Sequence, residues 1–191
     1  MNGFEPVTGA AMAELHRQHL SRDFPRNELK PLHMLEDLVE RGINSVWAME
    51  REENLAAYFV LARLPGQSMV LLDYFAVEPQ FRDCGLGTQV MKTVAAGLEE
   101  DEYLLIESEW PLSAAAEERM VRQRRLDFYL RCGAVWSGGC ARLFGVEYAL
   151  LTLGTHTPTL EEVFQGYRDI YQSMVPAHRL HGNLETFCPE E

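Results

Sequence analysis

The 191-residue chain is short of positive charge: 17 Lys and Arg stand against 29 Asp and Glu, a formal net charge of −12. General nucleic-acid binding draws on clustered Lys and Arg that neutralise phosphate, so this balance argues against it. No apolar run approaches the roughly 20 residues that a membrane-spanning helix needs, so no membrane protein is expected. Residues 1–20 lack a basic patch followed by an apolar stretch, so no secretory signal is read there. The four cysteines, Cys84, Cys132, Cys140 and Cys188, share no CxxC spacing, which argues against a zinc site or a dithiol redox motif. Free thiols and a cytoplasmic location are therefore expected, with no metal. Internal repeats and low-complexity segments are also missing. The acid surplus weakly favours a cationic partner, although solubility alone accounts for it equally simply.

What is present reads as an ordinary globular chain, with 47% hydrophobic and 24% charged residues, enough for one domain with a real core and an appendage. Apolar spacing predicts helices over 10–20 and 28–41, the second stopped by Gly42. His16 and His19 share a face of the first helix and read as structural histidines rather than metal ligands. Strands over 45–50, 56–63 and 68–77 follow at spacings too short for helical crossovers, hence a meander. A helix over 88–98, a strand over 103–108 and a helix over 114–131 come next. Strands over 134–137 and 145–153 are separated by a turn carrying Gly138, Gly139 and Gly145. Thr157-Pro158 with Glu161 and Glu162 opens a last helix. Phe164, Tyr167 and Tyr171 form its aromatic packing face. Pro176 ends it, and the remaining residues read as irregular.

The chemistry concentrates between the third strand and the following helix. A glycine-bearing loop there offers backbone N–H groups at the positive end of a helix, an anion site. A P-loop would need Lys after Gly87, and a dinucleotide fingerprint would need glycine where Val90 stands. Arg82-Asp83-Cys84-Gly85-Leu86-Gly87 does fit the pattern [Arg/Gln]-x-x-Gly-x-[Gly/Ala]. It follows Val77-Glu78-Pro79, and Phe128-Tyr129-Leu130-Arg131-Cys132-Gly133 lies further on.

With this element order, these motifs resemble the GNAT superfamily of acyl-CoA-dependent N-acyltransferases over residues 4–153. The resemblance implies an α+β fold: a mixed, mostly antiparallel twisted sheet flanked by helices. The acyltransferase-like domain is then 1–153, with a C-terminal helical extension over 154–191. It implies acetyl-CoA as co-substrate, its pyrophosphate on the amides of Arg82, Asp83, Cys84, Gly85, Leu86, Gly87 and Thr88. Phe75, Ala76 and Val77 would bond the pantetheine and polarise the thioester carbonyl. Tyr129 would protonate the leaving thiolate. An acceptor amine must first lose a proton, and Asp73 is the first candidate base, with Glu107 and Glu109 as alternatives. Arg122 and Arg125 depart from residues common in such proteins. The cluster Arg119 to Arg125 is either a contact for the 3′-phosphate end of coenzyme A or an ion-pair face. The expected acceptor is a small-molecule or lysine-type primary amine, and the expected assembly a monomer or homodimer. A non-catalytic acyl-CoA-binding or regulatory module of the same fold is the alternative.

Overall fold

In the computed structural model, which describes residues 3–189, the chain divides into two compact units. Met1–Arg63 with Leu72–Gly97 makes the first; Leu64–Leu71 with Leu98–Glu191 makes the second.

The first unit opens with β1 (Glu5–Pro6) and α1 (Gly9–Leu15), which runs into a π-helical turn over His16–Leu20 and the short α2 (Ser21–Asp23). The turn has a packing reason. Leu15 and Leu20 are five residues apart and both buried, at 6% and 1% exposure. An α-helix would point them apart, whereas i→i+5 geometry aligns them. With Met12, Leu35, Val46, Tyr58, Val60 and Tyr74 they form one buried cluster of this unit's core. The second helix, α3 (Leu32–Glu40), begins later than the expected residue 28. Pro31 sits at its N-cap with ψ 146; the residue before a proline is pushed out of helical geometry, so the chain cannot turn helical across it. Gly42, at φ +72, closes the helix as expected. β2 (Asn44–Arg51) and β3 (Asn54–Arg63) pair antiparallel, Val46 opposite Val60. The last six residues of β4 (Met69–Val77) and α4 (Leu86–Ala96) complete the unit.

The second unit holds the first three residues of β4, then β5 (Tyr103–Glu109), α5 (Ala116–Arg131), β6 (Val135–Leu143), β7 (Val146–Gly154), α6 (Leu160–Met174), α7 (Ala177–Leu180) and β8 (Leu184–Phe187). β5 pairs antiparallel with β7, and β6 with β7 and β8. Strand order is β1-β2-β3-β4 in the first unit and β4-β5-β7-β6-β8 in the second. The class is mixed α+β, with an eight-stranded, mostly antiparallel sheet flanked by helices.

Two expectations for this unit need correction. Gly138 and Gly139 lie in strand rather than in a turn: β6 runs through them, and its register with β7 jumps between Trp136 and Cys140. This is a bulge, which glycine tolerates because Gly138 sits at φ +85. A Cβ on Gly139 would lie 2.5 Å from Phe164 Cε1, so the bulge also seats α6. The residues after Pro176 are not irregular; they form α7 and the edge strand β8. α6 itself starts with a capping box, Thr159 accepting from the Glu162 amide while Glu162 accepts from the Thr159 amide. Its expected aromatic face is buried: Phe164, Tyr167 and Tyr171 are 9%, 0% and 5% exposed.

Candidate active site

β4 ends at Val77; Glu78 and a 3-10 turn over Pro79–Phe81 lead into the glycine loop. Arg82 to Gly85 are exposed, while Gly87 and Thr88 are half-buried at the start of α4. Arg82 folds back so that its Nε donates to the Val77 carbonyl at 2.8 Å, and the Cys84 thiol donates to the Phe81 carbonyl at 2.8 Å. Asp83 at φ +59 and Gly85 at φ +81 turn the chain into the helix. Gly85 is the N-cap in left-handed geometry, which a side chain would strain. The first amides of an α-helix have no acceptor within it, and here they belong to Leu86 and Gly87. They point out of the positive end of an 11-residue helix, the arrangement that binds phosphate through backbone rather than side-chain charge.

Just before the loop lies a polar network that sequence spacing did not disclose. Glu78 is 5% exposed. Its Oε1 accepts from His19 Nδ1 at 2.6 Å and from Arg22 Nη2 at 2.8 Å. Arg22 also grips Asp23 with Nε and Nη2, at 2.8 and 2.9 Å, and the Tyr58 hydroxyl donates to Asp23 at 2.8 Å. Burial pushes the Glu78 and Asp23 carboxyls up. For Glu78 the bonds from Arg22 and His19 outweigh it; for Asp23 those from Arg22 and Tyr58 do, so both end below the ordinary carboxyl range. Burial, then Asp23, raises the Tyr58 phenol. The π-helical turn thus aims His19 at the end of β4, and His16 Nε2 lies 2.8 Å from the Lys30 carbonyl.

Asp73 has both carboxylate oxygens engaged. Lys30 Nζ donates to Oδ1 at 2.5 Å and Asn44 Nδ2 to Oδ2 at 2.8 Å; the Asp73 side chain is 3% exposed. Phe75, Ala76 and Val77 follow on the same strand, all half-buried.

In the second unit, Tyr129 lies in the last turns of α5, 7% exposed, with the Phe128 ring 5.2 Å away. Burial drives its phenol up to about 12, against a smaller downward pull from Arg125, so at neutral pH it is a proton-bearing donor. α5 stops at Gly133, which takes φ +95. The arginine cluster supplies an ion-pair face: Arg122 Nη2 lies 3.2 Å from Glu109 and 3.1 Å from Glu118, and Arg125 also pairs with Glu109. Glu109 is therefore held by two guanidinium groups. Glu107 is held by α6 instead, Tyr167 donating to Oε1 at 2.6 Å and Tyr171 to Oε2 at 2.7 Å.

The loop residues, Asp73 and Phe75 to Val77 thus fall in the first unit, and Tyr129, Glu107 and Glu109 in the second. His19, Arg22 and Lys30 were missed as partners. The one available signal was Tyr167 and Tyr171, four residues apart on a buried face, because two buried phenols require polar partners. Among the described residues, no group of three or more His, Cys, Asp or Glu is placed to hold a metal ion. No helix there is long and apolar enough to cross a membrane.

Residues 11–133, more than half of the chain, match the model of the Acetyltransferase (GNAT) family. By sequence, no curated protein gives a significant match. By structure, a GNAT-family protein of Bacteroides thetaiotaomicron is similar at a TM-score of 0.67 and 18% identity, over 89% of this chain and 96% of that one. A GNAT-family protein of Desulfovibrio desulfuricans reaches 0.55 at 16% identity, over 80% and 98%. A GNAT-family acetyltransferase of Elizabethkingia anophelis, solved with acetyl-CoA bound, reaches 0.50 at 14%, over 80% and 99%. These likenesses speak for the fold, and the family match takes in the glycine loop, β5 and the helix bearing Tyr129. The chain belongs to the GNAT acetyltransferase family.

Proposed function

We propose that this protein is an N-acetyltransferase that moves an acetyl group from acetyl-CoA to a primary amine by direct attack in a ternary complex. The observation that carries the reading is the loop at the start of α4. Gly85 at φ +81 opens the positive end of that helix, and Arg82 to Gly85 are exposed beside it. The amides of Arg82 to Thr88 would cradle the pyrophosphate of acetyl-CoA, and those of Phe75 to Val77 the pantetheine and the thioester carbonyl. This suits an acidic protein with an anionic cofactor, because backbone amides supply the attraction.

The acceptor arrives as R–NH3+ and must lose one proton before its lone pair attacks. A second proton leaves the nitrogen as the tetrahedral intermediate collapses. The carbonyl oxygen carries negative charge in between and needs N–H donors. The sulfur departs as thiolate and takes up one proton, so one proton is released overall. Tyr129 is the proposed donor to that sulfur. A phenol near 12 is a far weaker acid than a thiol of ordinary pKa, about 8.5. It therefore acts first as a hydrogen-bond donor to the departing sulfur. Asp73 is the proposed base, a role in which the amine competes with Lys30 and Asn44 for its oxygens. Those two engagements are also what favours the second reading, an acyl-CoA-binding module without turnover.

Thiol release measured across a panel of primary amines separates the two. Activity on one amine class is expected, with Tyr129→Phe lowering turnover about 10- to 100-fold at unchanged acetyl-CoA affinity. Wild-type turnover in Tyr129→Phe removes the donor role, and silence across the panel favours the binding module.

A further inference from the structure

Of the 17 basic side chains, only Lys30 and Lys92 are lysines. Arginine supplies the cations on Asp23, Glu78 and Glu109. It is the usual choice for an enclosed carboxylate, because its planar fork matches the acid and it stays charged. Asp73 carries a lysine instead, Lys30 Nζ donating to Oδ1 at 2.5 Å. The Lys30 and Asp73 side chains are 11% and 3% exposed. Lys30 is also fixed through its backbone. Its N–H donates to the Tyr74 hydroxyl at 2.9 Å, and His16 Nε2 lies 2.8 Å from its carbonyl. The Tyr74 hydroxyl donates onward to the Glu28 carbonyl at 2.9 Å, so the chain just before α3 is tied to β4. Nζ itself lies 5.0 Å from the centroid of the Tyr74 ring.

An enclosed ion pair is a poor device for stability, since desolvating both charges offsets their attraction. Chemistry gives lysine a use that arginine lacks: it can lose a proton and attack as an amine. Lys30 is a primary amine already seated on the carboxylate proposed as base. Phe75, Ala76 and Val77, whose amides are proposed to hold the pantetheine and the thioester carbonyl, follow Asp73 on β4. Asp73 and Phe75 are two residues apart and share a face of that strand. All of these residues belong to the first unit.

We infer that Lys30 is itself an acetyl acceptor, its Nζ taking the acetyl group of acetyl-CoA bound to the same chain. This rests on the acetyl-transfer reading and adds to it a lysine side chain of the protein as substrate. Asp73 takes one proton from the ammonium. The Nζ lone pair then forms the C–N bond with the carbonyl carbon, and the C–S bond breaks. The nitrogen gives up its second proton as the amide forms, the thiolate takes up one, and one proton is released overall. The product is uncharged Nε-acetyl-lysine, so the ion pair with Asp73 is lost while the Asn44 bond to Oδ2 can remain.

The test incubates the full chain with acetyl-CoA and no added amine, and locates the label by intact mass and peptide fragmentation. Lys92, the other lysine, is exposed on α4 and serves as internal control. Uncatalysed acetylation favours the exposed amine; transfer within the site favours the enclosed one. Lys30 is expected to be labelled at least about 10-fold faster than Lys92, at a rate independent of protein concentration. Asp73→Asn should slow the labelling about 10- to 100-fold, and Lys30→Arg should abolish it while acetyl-CoA still binds. Lys92 labelled as fast as Lys30 or faster overturns the inference, as does an unlabelled Lys30 in wild-type protein that binds acetyl-CoA by calorimetry. A rate that rises with protein concentration means transfer between chains and overturns it too. These three readings use the wild-type chain, so they stand whether or not the variants fold. Failure of the wild type to bind acetyl-CoA defeats the acetyl-transfer reading, and the inference falls with it.

Discussion

Glu78 in the first unit is buried and Glu107 in the second half-buried, and they take hydrogen bonds from donors of different kinds. Glu78 takes a guanidinium and an imidazole on one oxygen, and the same guanidinium reaches on to Asp23. Glu107 takes two phenols, one per oxygen. The first arrangement is a rivet in which one guanidinium spans two carboxylates and ties the helical turn to the end of β4. The second sets two neutral donors of α6 on one carboxylate of β5.

The contrast breaks most visibly at Arg22. Arg22→Met strips Glu78 and Asp23 of their shared cation. Removing one partner of a buried pair costs about 3–5 kcal/mol; with the Arg22 side chain 45% exposed, roughly 2 kcal/mol is expected from urea unfolding at neutral pH. Acid sensitivity should change with it. Glu78 and Asp23 are held below their ordinary values of 4.5 and 3.8. Their contribution is whole above about pH 4.5 and drains away as pH falls through the lowered values. In Arg22→Met the decline of stability below pH 4.5 should be shallower; a curve parallel to wild type would remove the rivet.

Next in size are the phenols. Tyr167→Phe and Tyr171→Phe should each cost about 1.5 kcal/mol, the low end of the range of about 1.5–3 kcal/mol for bonds to a charged acceptor, because Glu107 is half-buried. The double variant should depart from additivity because both serve one carboxylate. Strict additivity in urea unfolding would mean that the two bonds act separately. The smallest effect belongs to an exposed pair within one helix end. Arg41 and Asp37 lie 3.0 Å apart with side chains 46% and 60% exposed, and Arg41→Ala should shift stability by no more than about 0.5 kcal/mol. A larger loss there would dissolve the distinction between buried and exposed partners.

The local parts of this molecule could be read from its sequence, and the contacts between distant parts could not. The glycine loop stands out because Gly85 and Gly87 fall where a strand pattern gives way to a helical one. Helix periodicity located α3, α4 and α6 because each carries its apolar face in consecutive turns, whereas α5 buries only Tyr129. The π-helical turn was hidden because Leu15 and Leu20 fit no α-helical stripe. β8 was hidden because Leu184 to Phe187 is too short to display alternation. The glycines of β6 imitate a turn, and only Phe164 of α6 shows why they are needed within a strand. The partners of Asp73, Glu78 and Glu107 lie 43, 56 and 60 residues away, and no short-range pattern encodes such a distance.

β8 has a consequence of its own. A terminal strand leaves a row of unpaired N–H and C=O groups that any extended peptide can adopt. Here the row on β6 is occupied by four residues near the end of the chain, from Leu184 opposite Leu143 to Phe187 opposite Cys140. Arg142 stacks on the Phe187 ring at 5.3 Å and pairs with Glu185 at 2.6 Å. A chain cut before Leu184 would keep every residue proposed for chemistry and yet expose a sticky margin. Self-association, rather than lost activity, would be the first sign that these last residues serve as a selvedge to the sheet.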